Sequence, residues 1–530
     1  MRRPSAGTGV QVEEKTADVV VVGGGPAATW AALTAARAGA DVVLVDKGYC
    51  GTSGATASAG TGVWYVEPDP ALRAAAIEDR EARGGYLADR RWSARVLDET
   101  YNRMDDLARN ARYPFPVASD GRQLRNGLQG PEYMRRMRIQ VRRAGVTVLD
   151  HSPVTGLLTD GRGRAAGVHG YRRQAKRDYR VRAGAVVLAT GGCAFLSKAL
   201  GCDVNTGDGA LFAGEAGAEL SGMEFSNAYG IAPKGTSVTK TAFYRYATFY
   251  REDGSVIEGA SGHHRSPIAR ELLRGPVFCT LDRPGADATA MRRAQPNFFL
   301  PFDRFGIDPV SDRFEVTLVA EGTVRGTGGI RLTGDDCATT VPGLYAAGDA
   351  ATREEICGGF TGGGSHNAAW AMSSGTWAGA GAAAFARDGV PDRSAQVGEV
   401  GLGSRSSVDP RDVVAAVQGE VLPYDRNYFR DGATLQRSLA VLDDVWQRSR
   451  EGLGGTGAGA LAARRAAAMT AHARWMYTAA SARTESRGMA RRTDHPDTDP
   501  AQHHRIVVSG LDRIRVRTQD APTLPLEVAS

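Results

Sequence analysis

The segment from residue 17 to residue 46 has the sequence ADVVVVGGGPAATWAALTAARAGADVVLVD, and it predicts a βαβ unit. The apolar run at residues 17–22 predicts a short buried strand, and the Ala- and Leu-rich run that follows predicts a helix through Ala38. The stretch DVVLVD at residues 41–46 predicts a second strand. A strand, a Gly-rich turn, a helix and a second strand within about thirty residues are typical of the dinucleotide-binding unit.

The turn between the first strand and the helix has the pattern Gly23-x-Gly25-x-x-Ala28. The first glycine permits a tight turn, the second lets the backbone approach a pyrophosphate, and the alanine lets the helix pack close to the strand. Asp46 ends the second strand, where an acid commonly binds ribose hydroxyls. The alternative is a Gly-rich turn in an unrelated βαβ unit, which would not require an acid at that place.

Two later segments also predict strands that end in small residues. Residues 186–192 (VVLATGG) end in Ala-Thr-Gly-Gly, and residues 343–349 (GLYAAGD) end in Gly348-Asp349. The carboxylate of Asp349 can accept hydrogen bonds from the ribityl chain of a flavin. The three motifs together favour FAD over NAD as the tightly held cofactor.

Composition excludes several classes of protein. The chain has 530 residues, 42% of them hydrophobic and 23% charged, which is ordinary for a soluble globular protein. The net charge of +6 comes from scattered arginines, and a nucleic-acid-binding arm of clustered Lys and Arg is absent. The six cysteines contain no CxxC pair, so zinc-finger and iron–sulfur spacings are absent and no metal is expected. We find neither a signal peptide nor an apolar run of membrane-spanning length, and we expect a cytoplasmic protein.

The predicted fold class is α/β: a Rossmann-like FAD-binding domain, a separate α+β cap domain at residues 223–330 and a C-terminal helical domain at residues 405–515. Clustered aromatic residues distinguish the cap, and helical periodicity distinguishes the last domain. A strand pair is expected near the end, at HHRIVVSG and DRIRVRT.

The order of the motifs resembles the flavoproteins of the fumarate reductase, succinate dehydrogenase and L-aspartate oxidase superfamily. After GGGPAA come GTSGATASAG, ATGG, NTGDGALFAGEAGAEL, TTVPGLYAAGD, GGGSHN and ESRG. The motifs at residues 205–209 and 485–488 are quite specific to that superfamily. The stretch SHNAAWAMSSG is also similar to adenylylsulfate reductase flavoproteins. The resemblance covers residues 18–496. It implies a Rossmann-like FAD-binding domain in two parts, at residues 17–222 and 331–390, with the α+β cap domain inserted between them and the helical domain following.

Departures from the superfamily's pattern suggest a different substrate. The loop at residues 51–62 lacks the His that attaches FAD covalently, so we expect noncovalent FAD. Where the superfamily has substrate-binding His, His and Arg residues, this chain has Tyr229, Val324 and Gly362. The resemblance therefore implies a substrate other than succinate or fumarate, less anionic and partly aromatic or apolar.

The resemblance also supplies the candidate site residues. The superfamily uses a cap-domain Arg as proton donor, and the nearest candidate is Arg245, with a surface Arg stacked between tyrosines as the alternative. His366 is a candidate substrate or flavin contact, or else a helix cap. Tyr229 and Arg325 complete the candidate catalytic set. The candidate cofactor-binding residues are Gly23, Gly25, Pro26, Ala27, Ala28, Asp46, Lys47, Thr52, Ser53, Gly54, Ala55, Gly60, Ala189, Thr190, Gly191, Asp208, Gly348, Asp349, Asn367 and Ala368.

Three further features were weighed. Cys357 is expected near the flavin, and a small buried thiol is favoured over a redox role. His263-His264 resembles a metal-binding pair but lacks further ligands at suitable spacing. Arg487 is expected to tie the helical domain to the core, with a pocket contact as the alternative.

The sequence therefore predicts an FAD-dependent enzyme that moves two electrons at a C–C or C–N bond of a small organic molecule. A specialised metabolic pathway suits such a substrate better than central metabolism. The first alternative is an electron-transfer flavoprotein subunit with a separate iron–sulfur or ferredoxin partner, as the adenylylsulfate-reductase-like stretch suggests. The second is a scaffold that keeps FAD but has lost turnover. A homo-oligomer is compatible with the sequence, whereas nucleic-acid and membrane partners are not expected.

Overall fold

The computed structural model describes residues 12–239, 242–262, 264–361 and 363–522. Its strands are β1 (Glu13–Val22), β2 (Val42–Val45), β3 (Gly60–Gly62), β4 (Gly127–Gln129), β5 (Thr147–Leu149), β6 (Val154–Thr159), β7 (Ala165–Arg172), β8 (Arg177–Leu188), β9 (Leu220–Ser221), β10 (Ala228–Pro233), β11 (Thr248–Tyr250), β12 (Val277–Thr280), β13 (Phe314–Glu321), β14 (Gly329–Ile330), β15 (Leu344–Ala346), β16 (Ala395–Gln396), β17 (His504–Ser509) and β18 (Arg515–Asp520). Its α-helices are α1 (Pro26–Arg37), α2 (Pro70–Arg83), α3 (Arg90–Arg109), α4 (Gly130–Arg143), α5 (Asp208–Glu215), α6 (Ser266–Leu272), α7 (Ala288–Ala294), α8 (Pro296–Phe305), α9 (Gly322–Arg325), α10 (Glu354–Cys357), α11 (Gly363–Phe385), α12 (Pro410–Val421), α13 (Tyr424–Asn427), α14 (Gly432–Gly452) and α15 (Ala458–Ala482).

The predicted βαβ unit lies at the centre of the largest sheet. The strand order is β16-β6-β7-β8-β1-β2-β5, and β15 also pairs with β8. β1 is parallel to both β2 and β8, and β15 is parallel to β8. The carboxyl ends of parallel strands meet at one edge of a sheet. The turns after β1, β2, β8 and β15 are therefore brought to the same edge, which is where ligands bind in open α/β sheets.

Helices α1 and α11 pack closely against each other over this sheet. A Cβ atom on Gly375 would lie 2.5 Å from the Ala27 carbonyl oxygen, and one on Gly379 would lie 2.3 Å from that of Ala31. Only glycine permits so close a backbone approach. The two helices run parallel with Ala27 beside Gly375, so the first turns of α11 extend beyond the start of α1 at the edge where the strands end.

The segment between the two parts of this sheet forms a separate sheet. Strands β10, β13, β12 and β11 pair antiparallel in that order. Aromatic side chains of α8 pack beneath it, and Phe298, Phe299 and Phe302 are each 2% exposed or less. The predicted inserted α+β cap is confirmed as an element of the fold.

Helices α12, α14 and α15 form the C-terminal helical part, and α15 is buried along most of its length. The predicted strand pair near the end is confirmed as β17 and β18, which pair antiparallel and extend the small sheet of β14 and β9. Buried ion pairs join this part to the rest of the chain: Arg483 pairs with Glu224 at 2.8 Å and with Glu485 at 2.7 Å.

The segment at residues 388–410, between the long helix α11 and the C-terminal helices, contains β16, which pairs antiparallel with β6. The loop at residues 48–62 ends in β3, which pairs with β4. The four predicted domain boundaries remain a prediction. Among the helices of the described residues, none is long and apolar enough to cross a membrane.

Candidate cofactor and substrate site

A cavity of about 1520 Å³ opens at the carboxyl edge of the main sheet. Its wall contains the turns after β1, β2, β8 and β15, the first turns of α11, and several residues of the cap. Pockets for drug-sized ligands are typically about 300–1,000 Å³, so this cavity accommodates a larger ligand. It extends continuously from the glycine turn to the cap residues.

Two glycines shape the cavity wall nearest the strands. Gly23 has a φ angle of +126°, and a Cβ atom there would lie 2.2 Å from the Ala189 carbonyl oxygen. Gly348 has a φ angle of +63°, and its Cβ atom would lie 2.7 Å from the Ala27 Cβ. Neither position tolerates a larger residue, because the strand ends approach each other directly behind a cofactor-sized space. This cradle fits a dinucleotide cofactor.

Asp46 lies at the end of β2 with its carboxylate almost wholly buried. The Gly48 amide donates to its Oδ1 at 3.2 Å, and the Ser53 hydroxyl donates to its Oδ2. Burial raises the pKa of Asp46, while these hydrogen bonds oppose the rise. The side chain is thus held in a fixed position on the cavity wall, as expected for an acid that binds ribose hydroxyls.

Lys47, which follows β2, binds the segment that contains the motif Asn-Thr-Gly-Asp-Gly at residues 205–209. Lys47 Nζ lies 2.9 Å from the Asp208 carboxylate and 2.5 Å from the Val204 carbonyl oxygen. The Lys47 charge lowers the pKa of Asp208 against the effect of burial. The pair fixes the start of α5 against the end of β2.

The Gly-Asp end of β15 is held by a buried arginine. Arg353 is 1% exposed, and it donates hydrogen bonds to the Asp349 carboxylate and to the Thr323 carbonyl oxygen, the latter at 3.0 Å. It also donates to the carbonyl oxygens of Val324 and Gly326. One guanidinium therefore joins the cofactor end of the cavity to the segment that carries Arg325.

The first turns of α11 supply another polar wall. Asn367 donates from Nδ2 to the Val324 carbonyl oxygen at 2.9 Å. Its Oδ1 is buried and accepts no hydrogen bond from the described residues. A buried oxygen that accepts no hydrogen bond from the protein fits a ligand that donates one, such as the N–H of a flavin ring.

The predicted cofactor residues lie together with one exception. Ala28 is fully buried in the helix that packs on the sheet, and it does not reach the cavity. The residues that line the cavity are Gly23, Gly25, Pro26, Ala27, Asp46, Lys47, Thr52, Ser53, Gly54, Ala55, Gly60, Ala189, Thr190, Gly191, Asp208, Gly348, Asp349, Asn367 and Ala368.

Three arginines line the cap side of the cavity, and two of them, Arg265 and Arg325, lie close to a buried carboxylate. Arg325 Nε lies 3.5 Å from the Glu321 carboxylate, which is fully buried behind it. Arg265 is held by hydrogen bonds to the carbonyl oxygens of Gly262 and Tyr229, at 3.1 Å for Gly262. Burial lowers the pKa of Arg265, the nearby Arg325 lowers it further, and Glu321 opposes both. The wall therefore presents two close cationic groups, one of them with a depressed pKa.

Arg265 is not among the residues that the sequence predicts for the site. It directly follows His263-His264 and stands outside every recognisable motif. His263 lies outside the described residues. Arg245, the candidate chosen instead, also lines the cavity, but it is exposed, stacks on the Tyr246 ring and donates to its hydroxyl at 2.6 Å. Arg245 therefore lines the cavity, as the first interpretation expects, and it also stacks on one tyrosine; its role as a proton donor stays a prediction.

Two candidate catalytic residues do not reach the cavity. Tyr229 is 2% exposed and donates to the carbonyl oxygens of Val421 and Leu422, at 3.1 and 3.0 Å, so its hydroxyl points toward the C-terminal helices. His366 is fully buried and stacks on the Trp64 ring. Helix geometry explains the second case, because Asn367, Ala368 and Ala371 form the helix face toward the cavity.

The other residues singled out in the sequence lie in different parts of the structure. Val324 lines the cavity with an apolar side chain, whereas Gly362 lies outside the described residues. Cys357 is 3% exposed and does not line the cavity. Arg487 binds Glu485 at 2.7 Å and the Gly85 carbonyl oxygen at 2.7 Å, which ties the C-terminal part to the core. No cluster of three or more metal-ligating side chains occurs in the part of the chain that the structure describes.

Comparison with known proteins agrees with this geometry. The FAD binding domain family matches residues 18–229, and the fumarate reductase flavoprotein C-terminal family matches residues 419–525. L-aspartate oxidase of Streptomyces coelicolor is 27% identical over 96% of this chain and 94% of its own length. L-aspartate oxidase of Mycobacterium tuberculosis is 29% identical over 94% of this chain and 96% of its own.

Solved structures show the same fold. FrdA of Escherichia coli quinol fumarate reductase has a TM-score of 0.82 at 19% identity and covers 97% of this chain and 98% of its own. Adenylylsulfate reductase of Archaeoglobus fulgidus has a TM-score of 0.73 at 17% identity and covers 98% and 97%. The fold, the cavity and the matched domains define an FAD-dependent oxidoreductase. The chain contains the domains of two flavoprotein families, is homologous to proteins named L-aspartate oxidase, and shares its fold with fumarate reductase and adenylylsulfate reductase flavoproteins.

Proposed function

We propose that the protein oxidises the C–N bond of a small amino acid-like carboxylate. The observation that carries the proposal is the pair Arg265 and Arg325 in the wall of the cavity that the cofactor turns also line. Two guanidinium groups in a half-enclosed site favour an anionic group, since planar, bidentate donors match a carboxylate. The relatives named L-aspartate oxidase support a substrate that carries both an amine and a carboxylate.

In this proposal the chain's own residues bind and orient the substrate. Arg265 and Arg325 hold the carboxylate, and Thr239 lies on the same wall with its hydroxyl donating to Glu321 at 2.7 Å. Bound FAD supplies the two-electron acceptor. The substrate carbon loses a hydride and its nitrogen loses a proton, which gives an imine that water hydrolyses to an oxo acid and ammonia. The depressed pKa of Arg265 makes its guanidinium better able than an ordinary one to exchange a proton with the bound substrate.

Succinate and fumarate are poor candidates under this proposal. Tyr229 replaces a superfamily His and is turned away from the cavity, and Val324 replaces the second with an apolar side chain. A symmetrical dicarboxylate would then leave one carboxylate without the partners that the superfamily provides. Oxidation or reduction of a C–C bond in a monocarboxylate is the second possibility, because the same arginines would hold it.

Further properties also remain proposals. The segment at residues 51–62 contains no His, which supports noncovalent FAD. Acid precipitation of the purified protein should leave all of its flavin in the supernatant, whereas flavin retained in the pellet would contradict this. A cytoplasmic location and an iron–sulfur or ferredoxin partner for the electrons stay predictions.

The proposed reaction is tested by anaerobic reduction of the bound flavin. Purified protein is mixed with a panel of L-amino acids, simple amines and succinate, and the flavin absorbance is followed. Bleaching by at least one amino acid, with release of one ammonia per flavin reduced, is expected. Bleaching by succinate alone would overturn the proposal.

A further inference from the structure

A buried carboxylate lies directly behind the two cavity arginines. Glu321 ends β13 and is fully buried. Its Oε1 accepts from the Thr239 hydroxyl at 2.7 Å, and its Oε2 lies 3.5 Å from Arg325 Nε. Among the described residues Oε2 accepts no hydrogen bond, and Arg325 is its ion-pair partner. A Cβ atom on Gly230 would lie 3.0 Å from Oε2, which shows how closely the backbone of β10 encloses the carboxylate.

The charges of Arg265, Arg325 and Glu321 determine the net charge at this end of the cavity. Arg265 and Arg325 contribute two positive charges, and their mutual repulsion acts on the pKa of Arg265. Glu321 contributes one negative charge and opposes that effect. The three groups together carry one net positive charge, and one carboxylate in the cavity would neutralise them. A second negative charge at this end would be repelled by Glu321. The other cap arginine on the wall, Arg245, is exposed and bonded to Tyr246.

We propose that Glu321 is a positioning residue that sets the charge of the substrate: it restricts the Arg265–Arg325 end of the cavity to a single carboxylate. The inference rests on the proposed function, because it assumes that this end holds the substrate. Glu321 does not line the cavity and acts through the two residues that do, Arg325 and Thr239. A buried carboxylate costs stability unless it is paired, so its presence at this place requires the arginine in front of it.

The test compares binding of one monoanion and one dianion without turnover. Propionate and malonate are titrated at pH 8 and matched ionic strength into the oxidised holoprotein, and the change in flavin absorbance gives each Kd. The wild type should bind propionate more tightly than malonate. Glu321→Gln keeps the size of the side chain and an acceptor for Thr239 but removes the charge. It should shift the ratio of the two Kd values toward malonate by about tenfold, with unchanged FAD content.

Two further variants distinguish the effect of the Glu321 charge from a general effect on the structure. Glu321→Asp restores the charge and should return the ratio toward that of the wild type. Glu315→Gln removes a carboxylate from the same strand, where Glu315 pairs with Lys234 at the surface at 2.6 Å, and should leave both Kd values unchanged. An unchanged malonate-to-propionate ratio in Glu321→Gln would overturn the inference.

A second variant keeps the inference testable if Glu321→Gln does not fold. In Arg325→Gln the remaining charges of Arg265 and Glu321 cancel, so propionate should bind about tenfold or more weakly. Wild-type affinity for propionate in that variant would also overturn the inference. A failure of the proposed function gives a different result. In that case neither propionate nor malonate changes the flavin absorbance of the wild type, and both the proposed function and this inference are wrong.

Discussion

The imidazole of His366 stacks on the indole of Trp64, with ring centroids 4.3 Å apart and an interplanar angle of 30°. His366 Nδ1 also lies 3.2 Å from the Ser365 hydroxyl oxygen. The stack places the histidine on the side of α11 that faces away from the cavity, between two residues that line it. His366 therefore contributes to the packing of the helix that carries the cavity wall.

Replacing His366 should change stability rather than chemistry. His366→Ala loses the stack and leaves a cavity, which should lower the free energy of unfolding by about 2 kcal/mol. His366→Phe retains the stack and should recover most of that loss. Thermal unfolding monitored by flavin fluorescence measures both. A hundredfold fall in kcat/KM for His366→Phe with normal FAD content would instead assign the histidine to the reaction.

Replacing Gly23 should abolish cofactor binding. In Gly23→Ala the new Cβ would lie 2.2 Å from the Ala189 carbonyl oxygen, so the turn between β1 and α1 must shift. We expect the variant to purify with less than about a tenth of the wild-type flavin, since a φ near +126° is strained for any other residue. The absorbance ratio of flavin to protein measures it. Gly419→Ala, where a Cβ meets nothing within 4 Å, is the matched control and should retain full flavin content.

The sequence alone predicted most of the residues that line the cofactor end of the cavity. The glycines, Asp46 and Asp349 follow parallel strands, and strand ends converge by the geometry of the sheet, so their meeting did not depend on side-chain packing. The substrate half was predicted less well. Tyr229 occupies the matched motif position, yet the alternation of β10 turns its hydroxyl toward α12. Such orientations depend on long-range packing that no local pattern encodes.

The arginines illustrate the same limit. Arg245 was preferred because it precedes a recognisable aromatic stretch, whereas Arg265 stands in a segment without a motif. Only the pairing of β10 with β13 places Arg265 beside Arg325, through the carbonyl oxygen of Tyr229 and the turn after Glu321. A contact between residues sixty positions apart leaves no periodic signal in the sequence.

Replacing Arg265 should reduce turnover far more than replacing Arg245. Arg265→Gln removes a charged donor from the cavity wall and should lower kcat/KM by about a hundredfold to a thousandfold. Arg265→Lys should recover only part of it, because an ammonium cannot reproduce the planar pair of donors. Arg245→Gln should stay within about tenfold of the wild type, since that side chain is exposed and bonded to Tyr246. Steady-state kinetics with the best amino acid measures all three, and equal losses in Arg245→Gln and Arg265→Gln would refute the ranking.

A buried carboxyl group beneath the cavity should make stability depend on pH. Glu354 is fully buried, and the Ser221 hydroxyl donates to it at 2.5 Å. Burial raises the pKa of Glu354 to about 7; Arg505 opposes the rise, and the neighbouring Glu224 adds to it. The raised value means that the folded protein keeps a proton which the unfolded chain releases near pH 4.5. The contribution of this group to stability is therefore complete below about pH 4.5, is lost as the pH rises to 7, and does not fall further above that.

Glu354→Gln should remove that pH dependence. Relative to the variant, the wild type should lose up to about 3 kcal/mol between pH 4.5 and pH 7, because each tenfold change in proton affinity corresponds to about 1.4 kcal/mol. Denaturant unfolding of both proteins across this range measures the difference. A constant difference between the two proteins at every pH would show that Glu354 stays ionised in the folded state.

The central claim is that a noncovalent FAD and the Arg265–Arg325 wall act together on an amine-bearing carboxylate. The most direct measurement is the anaerobic bleaching of flavin absorbance by L-amino acids in the wild type and in Arg265→Gln, with succinate alongside. The account predicts rapid bleaching by at least one amino acid in the wild type, loss of at least about a hundredfold in its rate in the variant, and no bleaching by succinate. A colourless protein that cannot take up FAD, or a flavin reduced by succinate and by no amino acid, would contradict it.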